Sequence, residues 1–373
     1  MDKIIYLDSA ATTPLCPAAK KVIVDNLDDF YNVNSSYEPA RKLRIKVEEA
    51  REYIAEIIGA KSTDEIYFTS GGSEANNWVL TNKFSLISDI EHSSVIGNIN
   101  FKVDEDGLVN LEKFKQILEE YSNGFYPPIE VISTMMVNNE IGVIEPIREM
   151  VEMIHETPIT YREKTLFHTD AVQAVGHIPV NVQELGVDML SASGHKFGAI
   201  KGIGFVYIKN GIDIDPLIYG TQERKKRGGT TNALGVLTME SALRDSIEHL
   251  EERNEYIKKL RDKLLNELLS INGVKLNGSY NNRVVSNINV CIDEVNSQQM
   301  VAMCDSHGIM ISSGSACHEN EENVSHVLTG IGLSDEEAKN SIRITLSHLN
   351  TIDEIDYCCK IMPKIIERLR QTY

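Results

Sequence analysis

Lys196 closes the run Ser191-Ala192-Ser193-Gly194-His195-Lys196 after one apolar stretch, and Asp170 closes another, Thr165-Leu166-Phe167-His168-Thr169. A lysine amine forms a Schiff base with an aldehyde, and a carboxylate beside a pyridine nitrogen keeps that nitrogen protonated so that the ring accepts electrons. These are the two groups a protein contributes to pyridoxal 5'-phosphate (PLP) chemistry. An isolated His-Lys dipeptide is more often solvated surface charge, so the neighbouring segments carry the reading.

A phosphate cradle is the next requirement, and Thr69-Ser70-Gly71-Gly72-Ser73-Glu74-Ala75-Asn76-Asn77 fits one. It follows the strand-like Ile66-Tyr67-Phe68 and opens a helical stretch. Gly71 and Gly72 allow close backbone approach, while free N–H groups and the Ser73 hydroxyl face an anion at a helix N-terminus. The same string also reads as an ordinary capped turn with Ser73 and Glu74 starting the helix.

The positioning elements follow from periodicity. Short β-prone runs end at Asp170 and before the Ser-Gly-His-Lys turn, and Gly202-Ile203-Gly204-Phe205-Val206-Tyr207-Ile208 forms another. Leu43, Val47, Ala50, Ile54 and Ile57 recur at helical spacing, and Ile129–Ser133 reads as a buried strand leading to an Asn138-Asn139 corner. Strands alternating with helices predict a largely parallel α/β sheet with ligands at the carboxyl ends of its strands. Thr238–Leu269 is one long helical stretch or two, Ser286–Ile292 alternates like a half-buried strand, and a helix runs from Asp353 to Leu369.

With 373 residues, 42% hydrophobic content and a net charge of −18, the chain reads as a cytoplasmic enzyme of about two domains, with neither direct nucleic-acid contact nor a membrane partner. The opening Met1-Asp2-Lys3-Ile4-Ile5-Tyr6 looks like a strand, not a signal peptide, and the six cysteines lack zinc-type or secreted-disulfide spacing, so no metal is expected. Arg224-Lys225-Lys226-Arg227 leads into Gly228-Gly229-Thr230 and reads as cofactor-edge or interface charge.

Taken in order, Tyr6–Pro14, Ser70–Glu74, Val137–Gly142, His168–Gln173, Ser193–Lys196, Arg227–Thr230, Ser312–Cys317 and Ser341–Arg343 resemble the motifs of the NifS/IscS-type cysteine desulfurases, class V members of the fold-type I PLP enzymes. The motifs span nearly the whole chain. The resemblance implies a large PLP-binding domain over residues 13–245 with a mainly parallel seven-stranded sheet flanked by helices. A small α+β domain would combine residues 1–12 and 246–373 and carry a catalytic loop at about 312–328.

The resemblance also assigns roles. Lys196 would hold PLP, Asp170 would pair with the ring nitrogen, Gln173 would meet the phenolic oxygen and His92 would stack on the ring and move protons. Gly72, Ser73, Ser193 and His195 would bind the phosphate, with Thr230 supplied across a homodimer interface. Asn139 and Arg343 would anchor the substrate, Arg343 as a planar fork for a carboxylate, and Asn34 stands in the substrate-rim segment, here Asn34-Ser35-Ser36-Tyr37. On residue type alone, Arg343 reads as a surface salt-bridge partner at the end of the strand Ile342–Leu346.

Cys317 sets the reaction. Its run, Ser312 to Asn323, is small then polar and predicts a loop with little to pack down. Such a thiol could take sulfur from PLP-bound L-cysteine as a persulfide, leaving L-alanine, and pass it to an acceptor protein for iron–sulfur assembly or for tRNA or cofactor thiolation. Glu319, Glu321 and Glu322 surround it with negative charge that favours the thiol over the thiolate. Cys16, Cys291, Cys304, Cys358 and Cys359 read as inert core residues. A class V aminotransferase, a selenocysteine lyase and a non-catalytic interaction protein on the same fold are the rival readings. The stretch from Asn77 to Gly107 is short for the family, as though a helix and part of a strand were trimmed.

Overall fold

The computed structural model describes residues 4–122, 127–157, 165–313 and 324–371. The chain enters through β1 (Ile5–Tyr6), α1 (Pro17–Asp25) and α2 (Glu38–Ile57). Glu38 and Pro39 open α2, where a missing N–H costs nothing and an anion is favoured. Leu43, Val47, Ala50 and Ile54 are buried along its inner face, as their spacing predicts.

Strands and helices then alternate: β2 (Ile66–Thr69), α3 (Gly72–Leu80), β3 (Ser85–Ser88), β4 (Ile99–Phe101), α4 (Leu111–Ser122), β5 (Val131–Ser133), α5 (Ile147–Glu156), β6 (Leu166–Asp170), α6 (Val182–Leu185), β7 (Met189–Ser193) and β8 (Gly204–Ile208). They build a seven-stranded sheet of order β2-β8-β7-β6-β5-β3-β4. Only β8 runs against its neighbours, and the other pairings are parallel. β3, β5, β7 and β8 are buried along their whole length, as expected for a sheet covered on both faces. Because the parallel strands share a direction, the segments after Thr69, Ser88, Ser133, Asp170 and Ser193 all emerge at one edge.

The parallel pair β3 and β4 is joined by residues 89–98, and no helix forms among these described residues. A parallel crossover usually takes a dozen residues or more with a helix among them. The shortening seen in the sequence is therefore a missing crossover helix, and β4 is reached by a tight loop.

The Leu-rich stretch is two helices, α7 (Ala233–Glu248) and α8 (Leu250–Leu269), divided at His249. There follow β9 (Val274–Leu276), β10 (Asn287–Ile292), α9 (Ser297–Asp305), β11 (Ile309–Met310), α10 (His326–Gly330), α11 (Asp335–Lys339), β12 (Ser341–Thr345) and α12 (Ile352–Arg370). β9, β10 and β12 form an antiparallel sheet of order β12-β10-β9, and β1 pairs in parallel with β11. A second core gathers Ile5 and Leu7 from the chain start with Leu264, Ile288, Ile342 and Ile366, whereas Val327 and Leu328 of α10 and Ile331 just after it pack into the core of the large sheet. No helix among the described residues is long and apolar enough to cross a membrane.

One strand departs from its predicted pattern. β10 alternates in sequence like a half-buried strand, yet all six residues are buried. Its polar positions face a buried network: Asn277 Nδ2 donates to Asn289 Oδ1 (2.7 Å), Asn287 and Asn289 donate to the Glu140 carbonyl (3.0 and 3.1 Å), and Arg283 donates to Asn287 Oδ1 (2.8 Å). Satisfied amides can be buried where an unpaired one could not.

The basic run at 224–227 is held by internal ion pairs. Arg224 meets Asp64 (2.8 Å), Lys226 meets Asp213, and Arg227 meets Glu74 in the first turn of α3 (2.7 Å). Glu223, Arg224 and Lys225 all adopt left-handed backbone (φ 44°, 56° and 68°), a conformation that costs non-glycine residues roughly 1 kcal/mol or more each. The fork of buried Arg51 on both oxygens of Glu223 (2.8 and 3.0 Å), whose side chain is 7% exposed, holds that turn in place. Arg51→Met would leave Glu223 buried without its cation, so urea unfolding should show a loss of about 3–5 kcal/mol, while Lys42→Ala, in the exposed pair with Glu38, should leave the midpoint unchanged.

Candidate active site

Lys196 ends the 3-10 turn that follows β7. Its Nζ donates to the carbonyls of Ala10 (2.6 Å) and Ala11 (2.9 Å), and Gln173 Nε2 donates to the same Ala10 carbonyl (3.0 Å). The turn itself is fixed by its own backbone carbonyls. His177 Nε2 donates to the Lys196 carbonyl (2.9 Å), and Thr13 donates to the His195 carbonyl through both its amide (3.1 Å) and its hydroxyl (2.9 Å). His195 Nδ1 lies 3.1 Å from Thr12 Oγ1, and burial, with Lys196 and Lys201 nearby, brings its pKa down to about 4. The ring is neutral at physiological pH.

Asp170 ends β6 and is buried. Its carboxylate accepts from Asn76 Nδ2 (2.6 Å) and from the Val172 amide (2.9 Å). Asn76 Nδ2 also donates to Ser94 Oγ (2.9 Å), which lies 2.7 Å from His92 Nδ1. His92 is thus brought to the same edge despite the missing crossover helix. Burial lowers its pKa; Asp170 opposes that fall, while Lys196 and His326 add to it.

Gly71 and Gly72 lie against β7 and Val172. A Cβ on Gly72 would come within 2.5 Å of Val172 Cγ2, and a Cβ on Gly71 within 3.6 Å of Ser193 Oγ, so only glycine lets the start of α3 sit this close at residue 72. Ser73 is exposed in the first turn of α3 and Ser193 is buried at the end of β7. Thr230 is exposed beyond Gly229 and lies outside the crevice that Lys196 lines.

On the other side, buried Arg343 of β12 donates to the Asn139 carbonyl (3.0 Å) and to Asp8 Oδ1 (2.9 Å). Arg343 Nε, Asn139 Oδ1, Ser9 Oγ and Ser312 Oγ are buried without a hydrogen-bond partner among the described residues. A cavity of about 100 Å³ lies behind Lys196, lined by Ser9, Ala10, Asn139, Gln173, Lys196 and Thr345 among others; Asp170, His92, Ser73, Ser193, His195 and Arg343 do not line it. Asn34 lies on the exposed turn before α2 and does not line it.

Cys317 lies outside the described residues. Described residues on either side of its segment are tied to Arg343 and Glu140: Ser312 and Arg343 exchange backbone hydrogen bonds (3.0 and 2.8 Å), and Ser325 Oγ donates to Glu140 Oε2 (2.6 Å). His326 Nε2 donates to the Glu91 carbonyl (2.8 Å). Of the other thiols, Cys291 is pushed up to about 11 and Cys304 and Cys358 to about 12 by burial, which leaves them protonated and unreactive at neutral pH.

This arrangement suits PLP. It combines an amine, a buried carboxylate with lone pairs to spare, and a glycine-opened helix start with free N–H groups. The unpartnered amide and guanidinium atoms suit a small amino acid carrying both charges. Sequence reasoning missed Asn76, Ser94, Asp8, Glu140, Ser325 and His326. Asn76 is three residues beyond Ser73 on α3, the spacing that shares a helix face, but nothing local links it to Asp170.

The aminotransferase class-V family matches residues 5–358. A curated cysteine desulfurase IscS of Dictyoglomus turgidum is 40% identical over 99% of this chain and 96% of its own length. Among solved structures, a NifS-like protein from Rickettsia africae superposes with a TM-score of 0.88 at 32% identity, covering 98% of this chain and all of its own. A structure described as SspA in complex with cysteine gives 0.76 at 29% identity, over 93% of this chain and 99% of its own.

His168, inside the sheet below Asp170, bridges Ser133 Oγ (2.8 Å) and Ser191 Oγ (2.9 Å), and complete burial lowers its pKa to about 3. The folded state keeps this ring neutral while the unfolded chain protonates it near pH 6.5. Its contribution is therefore complete above pH 6.5 and is lost as pH falls toward 3. Relative to His168→Gln, the native protein should lose stability across that window with a slope approaching about 1.4 kcal/mol per pH unit, read from urea unfolding of both proteins at a series of pH values.

Proposed function

The chain belongs to the aminotransferase class-V family, and we propose that it is a PLP-dependent cysteine desulfurase whose sulfur acceptor is Cys317. The observation that carries this reading is the convergence of Lys196 and Gln173 on the Ala10 carbonyl, with buried Asp170 held by Asn76 and buried Arg343 held by Asp8.

When bound, PLP supplies the aldehyde that Lys196 engages and the ring that takes up electrons released at the substrate α-carbon. Asp170 would face the ring nitrogen, Gln173 would donate to the phenolic oxygen, and His92 would lie beside the ring. Gly72, Ser73, Ser193 and His195 would hold the phosphate. Exposed Thr230 completes the phosphate site of a second copy, which makes the active species a homodimer. Arg343 and Asn139 orient the L-cysteine carboxylate, with Asp8 and the Asn139 carbonyl keeping the guanidinium fork in one plane. Lys196 Nζ removes the α-proton.

The Cys317 thiolate attacks the substrate sulfur. The substrate C–S bond breaks with its electron pair passing to the carbon skeleton, an S–S bond forms on Cys317, and the skeleton leaves as L-alanine after taking up one proton at Cβ and regaining the α-proton from Lys196. The terminal sulfur then passes to an acceptor protein serving iron–sulfur assembly or thiolation. An aminotransferase would have no use for Cys317.

The purified protein should be yellow, and Lys196→Ala should abolish the borohydride-reducible adduct; a reducible adduct at another lysine would overturn the assignment. Cys317→Ala should still change the cofactor spectrum on adding L-cysteine, yet release sulfide at least about a thousandfold more slowly. Full turnover in that variant would overturn the mechanism, and sedimentation of an active PLP-bound monomer would overturn the role of Thr230.

A further inference from the structure

We infer that Ser94 fixes the tautomer of His92, with the proton on Nε2 and the lone pair on Nδ1, so that His92 serves the site as a donor through Nε2 and not as a base there. The inference rests on the reading that His92 lies beside the bound cofactor; the tautomer itself follows from hydrogen-bond directions alone.

The Ser94 backbone amide lies 3.1 Å from His92 Nδ1. An amide N–H can only donate, so Nδ1 must accept, and in a neutral imidazole the proton is then on Nε2. The Ser94 hydroxyl reaches the same nitrogen at 2.7 Å. Its direction is set from behind, because Asn76 Nδ2 donates to Ser94 Oγ (2.9 Å) and leaves the hydroxyl hydrogen to point at Nδ1. Asn76 has no freedom to reverse. Its Nδ2 also faces the Asp170 carboxylate at 2.6 Å, and turning the amide over would set a carbonyl oxygen against that charge.

Each donor in the series from Asn76 through Ser94 to His92 therefore has one direction, anchored on Asp170. A proton arriving at Nδ1 would have to displace two donors at once. The charged groups around the ring do not favour that arrival overall: Asp170 draws a proton in, while burial, Lys196 and His326 act against it. A hydrogen bond given to the neutral form of a titrating group also disfavours its charged form. Ser94 is accordingly a positioning residue that acts through His92.

The test is 15N magic-angle-spinning spectra of the PLP-loaded protein and of the cofactor-free protein labelled at histidine, with the His92 signals assigned by their absence in His92→Asn. At pH 7.5 the wild type should show an unprotonated Nδ1 and a protonated Nε2. In Ser94→Ala the backbone donor remains, so the tautomer should hold, but the hydroxyl donor to neutral Nδ1 is lost and the His92 titration midpoint should rise by roughly 0.5–1 pH unit. Ser94→Thr, which keeps the hydroxyl, should restore the wild-type midpoint. A wild-type ring protonated at Nδ1, or a Ser94→Ala ring with an unchanged midpoint, would overturn the inference. Sulfide release is assayed on the same samples: the expected tautomer in a protein that releases none from L-cysteine would refute the desulfurase reading while supporting the Ser94 relation.

Discussion

A carboxylate taken out of water must be matched by donors, because an uncompensated buried charge costs several kcal/mol. Asp170, buried at the end of β6, imposes that condition on everything around it. The Val172 amide satisfies one oxygen and requires the chain to turn immediately after the strand; Asn76 satisfies the other and fixes the rotation of α3 above the sheet. Through Ser94, the same amide reaches His92. One buried charge thus orients a strand end, a helix and a loop that are remote from one another in sequence.

The segment from Leu7 to Thr13 ties the two cores together. Leu7 is buried in the core built on the small antiparallel sheet, and Thr13 is hydrogen-bonded to the His195 carbonyl of the turn after β7. Between them, the Ala10 carbonyl receives Lys196 and Gln173, and Asp8 receives Arg343. The Lys196 amine and the Arg343 guanidinium are therefore both registered against one short stretch of chain. Such sharing explains how a crevice between two cores can hold groups to the sub-ångström tolerance that catalysis demands.

The short link between β3 and β4 shows what can be removed without disturbing this arrangement. A crossover helix normally covers the sheet at such a connection, yet Ser88, Glu91 and His92 still leave β3 at the functional edge. Glu91 is completely buried, with Oε1 accepting from the Met135 amide (2.8 Å), and burial raises its pKa well above the usual carboxylate range. Together with the His326 bond to the Glu91 carbonyl, these contacts hold the loop from both sides in place of the helix.

The sequence by itself determined the family and the candidate residues in their order along the chain. Lys196, Asp170 and Cys317 are recognisable by residue type and local motif, and the strands ending at Asp170 and before Lys196 by apolar runs closed by turn residues, because strand ends and glycine turns are encoded within a few residues. Only the tertiary structure decided the partners: Asn76 with Asp170, Asp8 with Arg343, Ser325 with Glu140 and Asn289 with the Glu140 carbonyl. The alternation in β10 looked half-buried for the same reason, since an asparagine in sequence does not reveal whether water or a distant amide satisfies it. Strand order and register bring such groups within 3 Å, and that proximity is a property of the whole sheet and not of any window of the chain.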